Sequence, residues 1–592
     1  MAEPLLGVTQ SAMGYSWWLR EADDRAALAM AQRLGVPEIL TRVMSGRGVH
    51  LEEAETFLSP TLKSLLPDPF HLLDMEKAAN RLADAIQNKE CVAIFGDYDV
   101  DGATSTALLV RFLRHFGVRV LTHIPDRIKE GYGPNAEALL KLKEQGASLV
   151  ITVDCGAASH QPLQAAVDAG LEVVVMDHHI GDAALPPAYA VVNPNRMDEA
   201  STHGHLAAVG VVFLYVVATN AILRNRGQEA LPNPMQWLDL VALGTVCDVV
   251  SLTGVNRALV SQGLKVLAGR TNAGLVALSD VAGVDEKPSA YHLGFVLGPR
   301  INAGGRVGEA GLGAELLACD DYAHAADIAR KLDRFNAERK TLEQLAQEEA
   351  IALAEAKVAE HDVLLVEGNW HPGIIGIVAG RLKEQFHKPV AVIAYDGEVG
   401  KASARSVSGV DLGAAVVAAR TAGILDAGGG HAMAAGFTVQ RSKVPDLQQF
   451  LNQRLGEKVR HYEETRGLVL DGVLNAAGAT PELLYQLTQA EPFGMGNPGP
   501  RFAFANLMPV KVDVVGENHL RCIFVDHGIG GRAGGARLQA IAFRAVGTPL
   551  ETVLSQAIHQ RKPVHVSGQL RLNSWQGMDR VDLHIQDAAL AS

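Results

Sequence analysis

Three short runs of aliphatic and β-branched residues, each ending in an aspartate, limit this chain more than any other feature. They are Cys91 to Asp97 (CVAIFGD), Leu149 to Asp154 (LVITVD) and Leu171 to Asp177 (LEVVVMD). Their apolar residues are nearly continuous rather than alternating, as expected of strands buried on both faces of a parallel sheet. Helical patterns at Ala103 to Phe116 and Gln161 to Ala169 separate them, so the region after Lys89 reads as βαβ units. Ligands of an open α/β sheet bind outside the carboxyl ends of its strands, which predicts that the three terminal carboxylates converge.

The 592 residues exceed one ordinary core, and roughly two to four domains are expected. Residues 1–87 read as a helical segment without chemistry, 88–270 as the aspartate-bearing α/β domain, and 271–361 as a linker with a long connecting helix. That helix is expected because Asp320 to Glu367 contains no Gly or Pro and Ile328, Leu332, Phe335, Leu342 and Leu345 follow a helical period; a coiled-coil strip is the alternative. Residues 362–460, with runs at Val363 to Val366 and Pro389 to Ala394, read as a second, smaller α/β domain. In residues 461–592, short strands such as Arg537 to Phe543 and Val564 to Leu570 between Gly-rich turns predict a small β-barrel.

The apolar run Leu206 to Ala218 is shorter than the roughly 20 residues of a bilayer span, and reads as a buried helix. The start of the chain lacks the layout of a secretory signal. Cys91, Cys155, Cys247, Cys319 and Cys522 show no paired spacing, which fits a reducing cytoplasm. The formal charge of −13 argues against a generally basic nucleic-acid binder, although carboxylates gathered in one cleft leave room for a basic groove elsewhere.

Asp97, Asp99 and Asp101 alternate within GDYDVDGATS (Gly96 to Ser105), just beyond the first strand. Carboxylates this close repel unless a cation compensates them. The spaced ligands and closing Glu of an EF-hand are absent, as is the Lys-Ser/Thr pair of a P-loop; three solvated loop aspartates are the bland alternative. Downstream come Val153 to Gly156 (VDCG), Asp177-His178-His179, and Asp248 within GTVCDVV. Oxygen-rich ligands with one or two imidazoles suit Mn²⁺ or Mg²⁺. So many ligands exceed one ion's needs, whereas two ions about 3.5–4 Å apart would use them all to activate water and stabilise a leaving oxygen at phosphorus.

In this order, DYDVDG, VDCG, DHH and Asp248 resemble the motifs of the DHH phosphoesterases, with Asp in the first motif where many members have His. HPGIIGIVAGRL (His371 to Leu382), KASARS (Lys401 to Ser406) and GGGH (Gly428 to His431) resemble the DHH-associated domain, and EPFGMGNPGPRF (Glu491 to Phe502) resembles an oligonucleotide-binding barrel. The resemblance implies a hydrolase of single-stranded DNA. It would work from the 5′ end, release mononucleotides and serve recombination and repair, with a single-strand-binding protein and a helicase as partners. It also implies that Asp97, Asp99 and Asp154 hold one cation while Asp101, Asp154, His178 and Asp248 hold the other, with His179 orienting the leaving group or a ligand. Attack by water needs no covalent intermediate, and Cys155 has no basic partner to make it a nucleophile.

Substrate contacts are expected from Ser403 and Arg405, which suit a terminal phosphate, and from the backbone of Gly429 and Gly430 near a helix start. His431 is expected near the scissile phosphate, Arg127 (in IPDRIKEGYG) at the terminal phosphate, and Arg300, Asn302 and Arg306 near the cleft. Arg405 could equally pair with a carboxylate, and the glycines could merely turn the chain. In the barrel, Phe502, Phe504 and Trp575 beside Arg501, Lys511 and Arg571 have the composition of a stacking groove, with Trp575 the one expected to be exposed. Two other functions remain: a DHH-type phosphodiesterase for short oligonucleotides or small phosphoesters, against which the extra barrel argues, and an inactive scaffold, against which the complete ligand set argues.

Overall fold

The aspartate-terminated runs become adjacent parallel strands. β1 (Val92–Gly96), β2 (Val120–His123), β3 (Leu149–Val153), β4 (Glu172–Met176) and β5 (Ala190–Val192) form one sheet in the order β2-β1-β3-β4-β5, with every pair parallel. Ala93, Phe95, Val150, Val173 and Val175 pack on one face against Leu139, Leu142, Leu163 and Ala166. Ile94, Ile151 and Val174 point the other way and are equally buried. Each such side chain contributes about 1.5–3 kcal/mol on burial, which is the physical origin of the unbroken apolar pattern. The register sets Gly96, Val153 and Met176 level. Asp97, Asp154 and Asp177, each the next residue, therefore leave the sheet at one edge.

The computed structural model describes residues 3–127, 129–527, 533–575 and 578–591. They form two units, Leu65–Glu464 and a second joining Met1–Ser64 to Thr465–Ser592. In the first unit, α1 (Val100–His115), α2 (Ala208–Asn225) and α3 (Leu238–Cys247) pack together. By length and composition α2 could cross a membrane, yet 78% of its apolar window is buried within the protein, so it is a core helix as its sequence suggested.

Residues 271–361 are built of helices, among them α4 (Gly298–Val307) and α5 (Tyr322–Glu355). The 34 residues of α5 span about 50 Å at 1.5 Å per residue. Its first half buries Ala325, Ile328, Ala329 and Leu332. Ala346, Ala350 and Ala354 in its second half pack on the second sheet, so the chain itself covers most of the apolar stripe. Leu345, expected on that stripe, is 62% exposed.

The second sheet contains β6 (Leu364–Gly368), β7 (Val390–Asp396), β8 (Val399–Arg405), β9 (Ala427–His431) and β10 (Ala434–Gln440), in the order β9-β10-β8-β7-β6. One face meets α5 and α6 (Ile375–Phe386). The other meets α7 (Leu412–Thr421) and the helix Val444–Thr465.

The second unit carries the barrel: β11 (Gly472–Leu474), β12 (Phe502–Val515), β13 (His519–His527), β14 (Ala533–Ala542), β15 (Val564–Trp575) and β16 (Met578–Leu590). Pairing of β12 with β15 closes five of these strands, with β11 added alongside β12. Phe502 and Phe504 are fully buried in its core, so they are not stacking platforms. Trp575 ends β15, and its side chain lies outside the described residues. The N-terminal segment is not helical throughout: Ser16–Leu19 is a strand paired in parallel with Gly467–Leu470. Trp17, fully buried, donates from Nε1 to Asp587 Oδ2 at 2.9 Å.

Candidate metal centre and anion pocket

Beyond the carboxyl ends of β1, β3 and β4 the predicted ligands meet. Asp97, Asp99 and Asp154 place one oxygen each within 4.8 Å of one another, and ligand atoms of Asp101, His178 and Asp248 do the same. Asp154 also groups with His178 and His179. His178 Nε2 lies 3.4 Å from Asp154 Oδ1 and 3.5 Å from Asp248 Oδ2. Each side chain is set by local structure. Asp99 caps α1 by accepting from Gly102 N at 3.0 Å. Asp248 ends α3. Asp154 adopts a left-handed φ of 62° and Val249, beside Asp248, one of 61°. Such backbone costs about 1–3 kcal/mol per residue and persists where surrounding structure imposes it. Gly102 is required as glycine, since a Cβ there would meet the backbone of Asp97 at 2.5 Å.

Asp101 does more than its motif suggested. Its two oxygens accept from Ala208 N at 2.6 Å and Val209 N at 2.9 Å, at the start of α2, which has no side-chain cap from its own N-cap residue. What Asp101 can offer a cation is a remaining lone pair.

The electrostatics are those of a ligand set. Burial and then Asp99 push the Asp97 carboxyl up to about 8, and the same two causes push Asp248 up to about 7. Asp154 and Asp101 are held well above the usual range by burial and neighbouring aspartates. Burial and then the charge of His179 lower His178 to about 4, which leaves a neutral imidazole at pH 7. Asp97 Oδ1, Asp154 Oδ1, Asp248 Oδ2 and His178 Nε2 are buried without a hydrogen-bond partner. Unsatisfied buried acceptors of this kind are costly. Divalent cations would satisfy all four and reverse the repulsion, so the residues present fit them.

Asp177 is fully buried and serves a different purpose. Its Oδ1 accepts from His178 N (2.8 Å), His179 N (3.1 Å) and His179 Nδ1 (2.8 Å), and its Oδ2 from Ala157 N (2.9 Å). It thus shapes the loop that presents both histidines. Asn193 and Asn195 donate to the carbonyls of His179 and His178, a contribution invisible in the sequence because asparagines carry no pattern. Tyr132, also missed, donates from Oη to the carbonyl of Asp154 at 3.0 Å and lies 3.3 Å from His179 Nδ1. Cys155 is buried and its thiol is raised by that burial and by Asp97, as expected of an inert thiol.

Beside this cluster three guanidinium groups gather without carboxylate partners among the described residues. Arg127 lies over the Tyr98 ring at 4.9 Å. Arg306 donates to the carbonyl of Gly373 at 3.0 Å. Arg405 donates to Ser403 Oγ at 3.2 Å and to the carbonyl of Ala404. Burial, then Arg127, lowers the pKa of Arg306 to about 10, with further contributions from Arg339 and Arg405. Burial, then Arg127, also lowers that of Arg405. Cations that repel one another in this way favour an anion among them.

The start of α6 closes the pocket. Its N-cap makes no side-chain hydrogen bond, and a Cβ on Gly376 would meet Ser403 Oγ at 2.9 Å and Arg405 at 3.2 Å. Free N–H groups at a helix start favour anions. The GIIG of the motif was the available signal.

Other predicted contacts divide. Gly429 and Gly430 lie on β9, an edge strand, rather than at a helix start; Gly430 does approach α7, because a Cβ on Gly413 would meet its carbonyl at 2.7 Å. His431, at the end of β9, is exposed. Arg300 is not in the arginine cluster: it pairs with Asp333 at 2.9 Å and donates to the carbonyl of Val296. Asn302 is half-buried on α4.

The chain matches the DHH family, N-terminal domain, over residues 91–245, the DHHA1 domain over 355–457 and the RecJ OB domain over 470–587. It is 37% identical to the single-stranded-DNA-specific exonuclease RecJ of Escherichia coli, with 88% of this chain and 91% of that protein covered. The crystal structures of Thermus thermophilus RecJ in complex with Mn²⁺ and with Mg²⁺ superimpose with TM-scores of 0.78 and 0.74, each at 29% identity. They cover 97% of this chain and 79% and 78% of those chains. Identity of this extent over nearly the full length of both proteins, on the same domain sequence, makes this chain a member of the RecJ family of single-stranded-DNA-specific exonucleases.

Proposed function

We propose that this chain hydrolyses single-stranded DNA from a 5′-phosphorylated end and releases 5′-mononucleotides, acting on each scissile phosphate with two divalent cations. Mn²⁺ or Mg²⁺ would be held by Asp97, Asp99 and Asp154 on one side and by Asp154, His178, Asp248 and Asp101 on the other. Bound there, the cations would polarise the phosphate and acidify water. The protein's own part is positional. Asp154 faces both ligand groups, Asp177 fixes the histidine loop, and neutral His178 offers Nε2 as a lone pair at pH 7.

The observation that carries this reading is the adjacency of two opposite electrostatic sites, a carboxylate cluster and a group of arginines without carboxylate partners among the described residues. A DNA end has two phosphates, one on each side of its terminal nucleoside, and these two sites match them. Arg405, Ser403, Arg127 and the start of α6 take the terminal phosphate; His431 and the backbone of Gly429 and Gly430 are assigned to the scissile one. Arg306, and more distantly Arg300 and Asn302, border the cleft, and Trp575 is assigned to strand contact on the barrel. The free state of all five cysteines supports a reducing cytoplasm as the site of action. Recombination and repair, with a single-strand-binding protein and a helicase as partners, are the setting.

The test is Arg405→Ala on otherwise identical 5′-phosphorylated and 5′-hydroxyl strands. Losing a charge-assisted, buried guanidinium contact costs about 2–5 kcal/mol. The variant is expected to lose about 100-fold in kcat/KM on the phosphorylated strand and much of the preference for it, with Arg405→Lys in between. An unchanged preference removes the terminal-phosphate assignment.

A further inference from the structure

Resting on that reading, we infer that Tyr132 forms a packing surface for the terminal nucleobase, so that the enzyme senses the presence of a base at the strand end without reading its identity. Tyr132 touches the metal side directly and reaches the arginine side through Tyr98. Its hydroxyl is fastened on the metal side, to the carbonyl of Asp154 at 3.0 Å and beside His179 Nδ1 at 3.3 Å. Its ring meets that of Tyr98 edge-on, with centroids 6.4 Å apart, and Tyr98 in turn carries Arg127 over its face at 4.9 Å. The sequence of contacts is Asp154, Tyr132, Tyr98, Arg127. It leads from the carboxylate cluster to the arginines.

A terminal nucleotide is the covalent link between a terminal and a scissile phosphate, so its sugar and base must lie over whatever occupies that interval. Despite its hydrogen bonds, Tyr132 is 55% exposed. A ring held by its hydroxyl and packed on Tyr98 and His179, with more than half of the residue still accessible, is preorganised for stacking, because little side-chain entropy remains to be lost. Every base has a π-face, so stacking tolerates all four and suits a processing enzyme that must not stop at particular sequences.

The experiment measures binding without turnover. A 5′-phosphorylated oligonucleotide carries a methylphosphonate at its first linkage, which removes the charge that would meet the metal-free carboxylates, and fluorescence anisotropy is read in EDTA. Wild type is expected to bind this strand about 10-fold more tightly than the same strand with an abasic terminal residue, the scale of one base–aromatic stack. Tyr132→Ala should bind both equally and hold the abasic strand as wild type does, which also reports that it is folded. Tyr132→Phe should keep most of the preference.

An abasic residue at the fifth position should have the same effect in all three proteins. A preference that survives in Tyr132→Ala, or is missing from wild type, overturns the inference and leaves the nuclease reading standing. Failure of wild type to bind any phosphorylated strand would sink both.

Discussion

Replacing Asp154 by Asn is expected to lower the rate of single-strand digestion in Mn²⁺ by at least about 10³-fold, or about 4 kcal/mol of transition-state stabilisation. Asn has nearly the same shape, so the loss would come from charge and from ligation. Asp154 is the one residue common to the Asp97–Asp99 group and the His178–His179 group, and its Oδ1 is buried without a hydrogen-bond partner among the described residues. Initial rates of nucleotide release measure the effect.

A second readout separates ligation from folding. Asp97, rising to about 8, and Asp248, rising to about 7, bind protons more strongly folded than unfolded. Metal-free wild type should therefore lose stability as pH rises from about 4, the unfolded carboxyl value, through these folded values. Asp154→Asn relieves part of this repulsion, so in EDTA at pH 8 it should melt no lower than wild type. Adding Mn²⁺ should raise wild type and have much less effect on the variant, because only a bound ligand shifts the equilibrium. A variant that is inactive but gains the full Mn²⁺ stabilisation would contradict the shared-ligand role.

The largest effect expected on stability alone is that of Asp471→Ala, about 3–5 kcal/mol in the barrel-bearing unit. Asp471 Oδ1 accepts from Arg47 at 2.5 Å and from Arg20 at 2.8 Å, and Oδ2 accepts from Arg47 at 3.1 Å and from Arg501 N at 2.8 Å. The Asp471 and Arg47 side chains are 2% and 3% exposed. Removing the carboxylate strands a buried guanidinium, whose desolvation then goes uncompensated. Burial alone would raise the Asp471 carboxyl, but Arg47, the Arg501 N–H and Arg20 together offset it and hold the group below the usual range.

A depressed folded pKa contributes stability above the unfolded value of about 3.9. That contribution is lost as pH falls through the folded value. Urea melts should thus show the full difference between wild type and Asp471→Asn at pH 7, and a shrinking one below about pH 4. A difference under about 1 kcal/mol for Asp471→Ala at pH 7 would show that the network contributes little.

What the sequence disclosed follows from how far each signal reaches. β1, β3 and β4 were legible because burial on both faces leaves an apolar run within a few consecutive residues, and their aspartates because sheet register makes equivalent strand ends neighbours. Residues whose meaning depends on a distant partner were not. Arg300 reads as a cleft residue until Asp333, on the long helix α5, is seen to hold it. Asp101 belongs to a metal motif by spacing, yet both its oxygens are engaged by backbone more than a hundred positions away.

The strand Ser16–Leu19 was hidden because its hydrogen-bonding partner, Gly467–Leu470, lies at the other end of the chain. Phe502 and Phe504 show the converse limit: composition cannot tell a core ring from a platform, and only their burial decides. The start of α6 lay inside the HPGIIGIVAGRL motif and Tyr132 only five residues beyond Arg127, but their roles come from a carbonyl and from free backbone N–H groups, which no side-chain pattern records.

The account rests on a pair of cations caged by residues from separate strand and helix ends. Anomalous diffraction at the manganese edge, from crystals soaked in MnCl₂, tests it most directly. Two peaks about 3.5–4 Å apart are predicted, one touching Asp97, Asp99 and Asp154 and the other touching Asp154, His178 and Asp248. A single peak away from Asp154, or none at all, would contradict it.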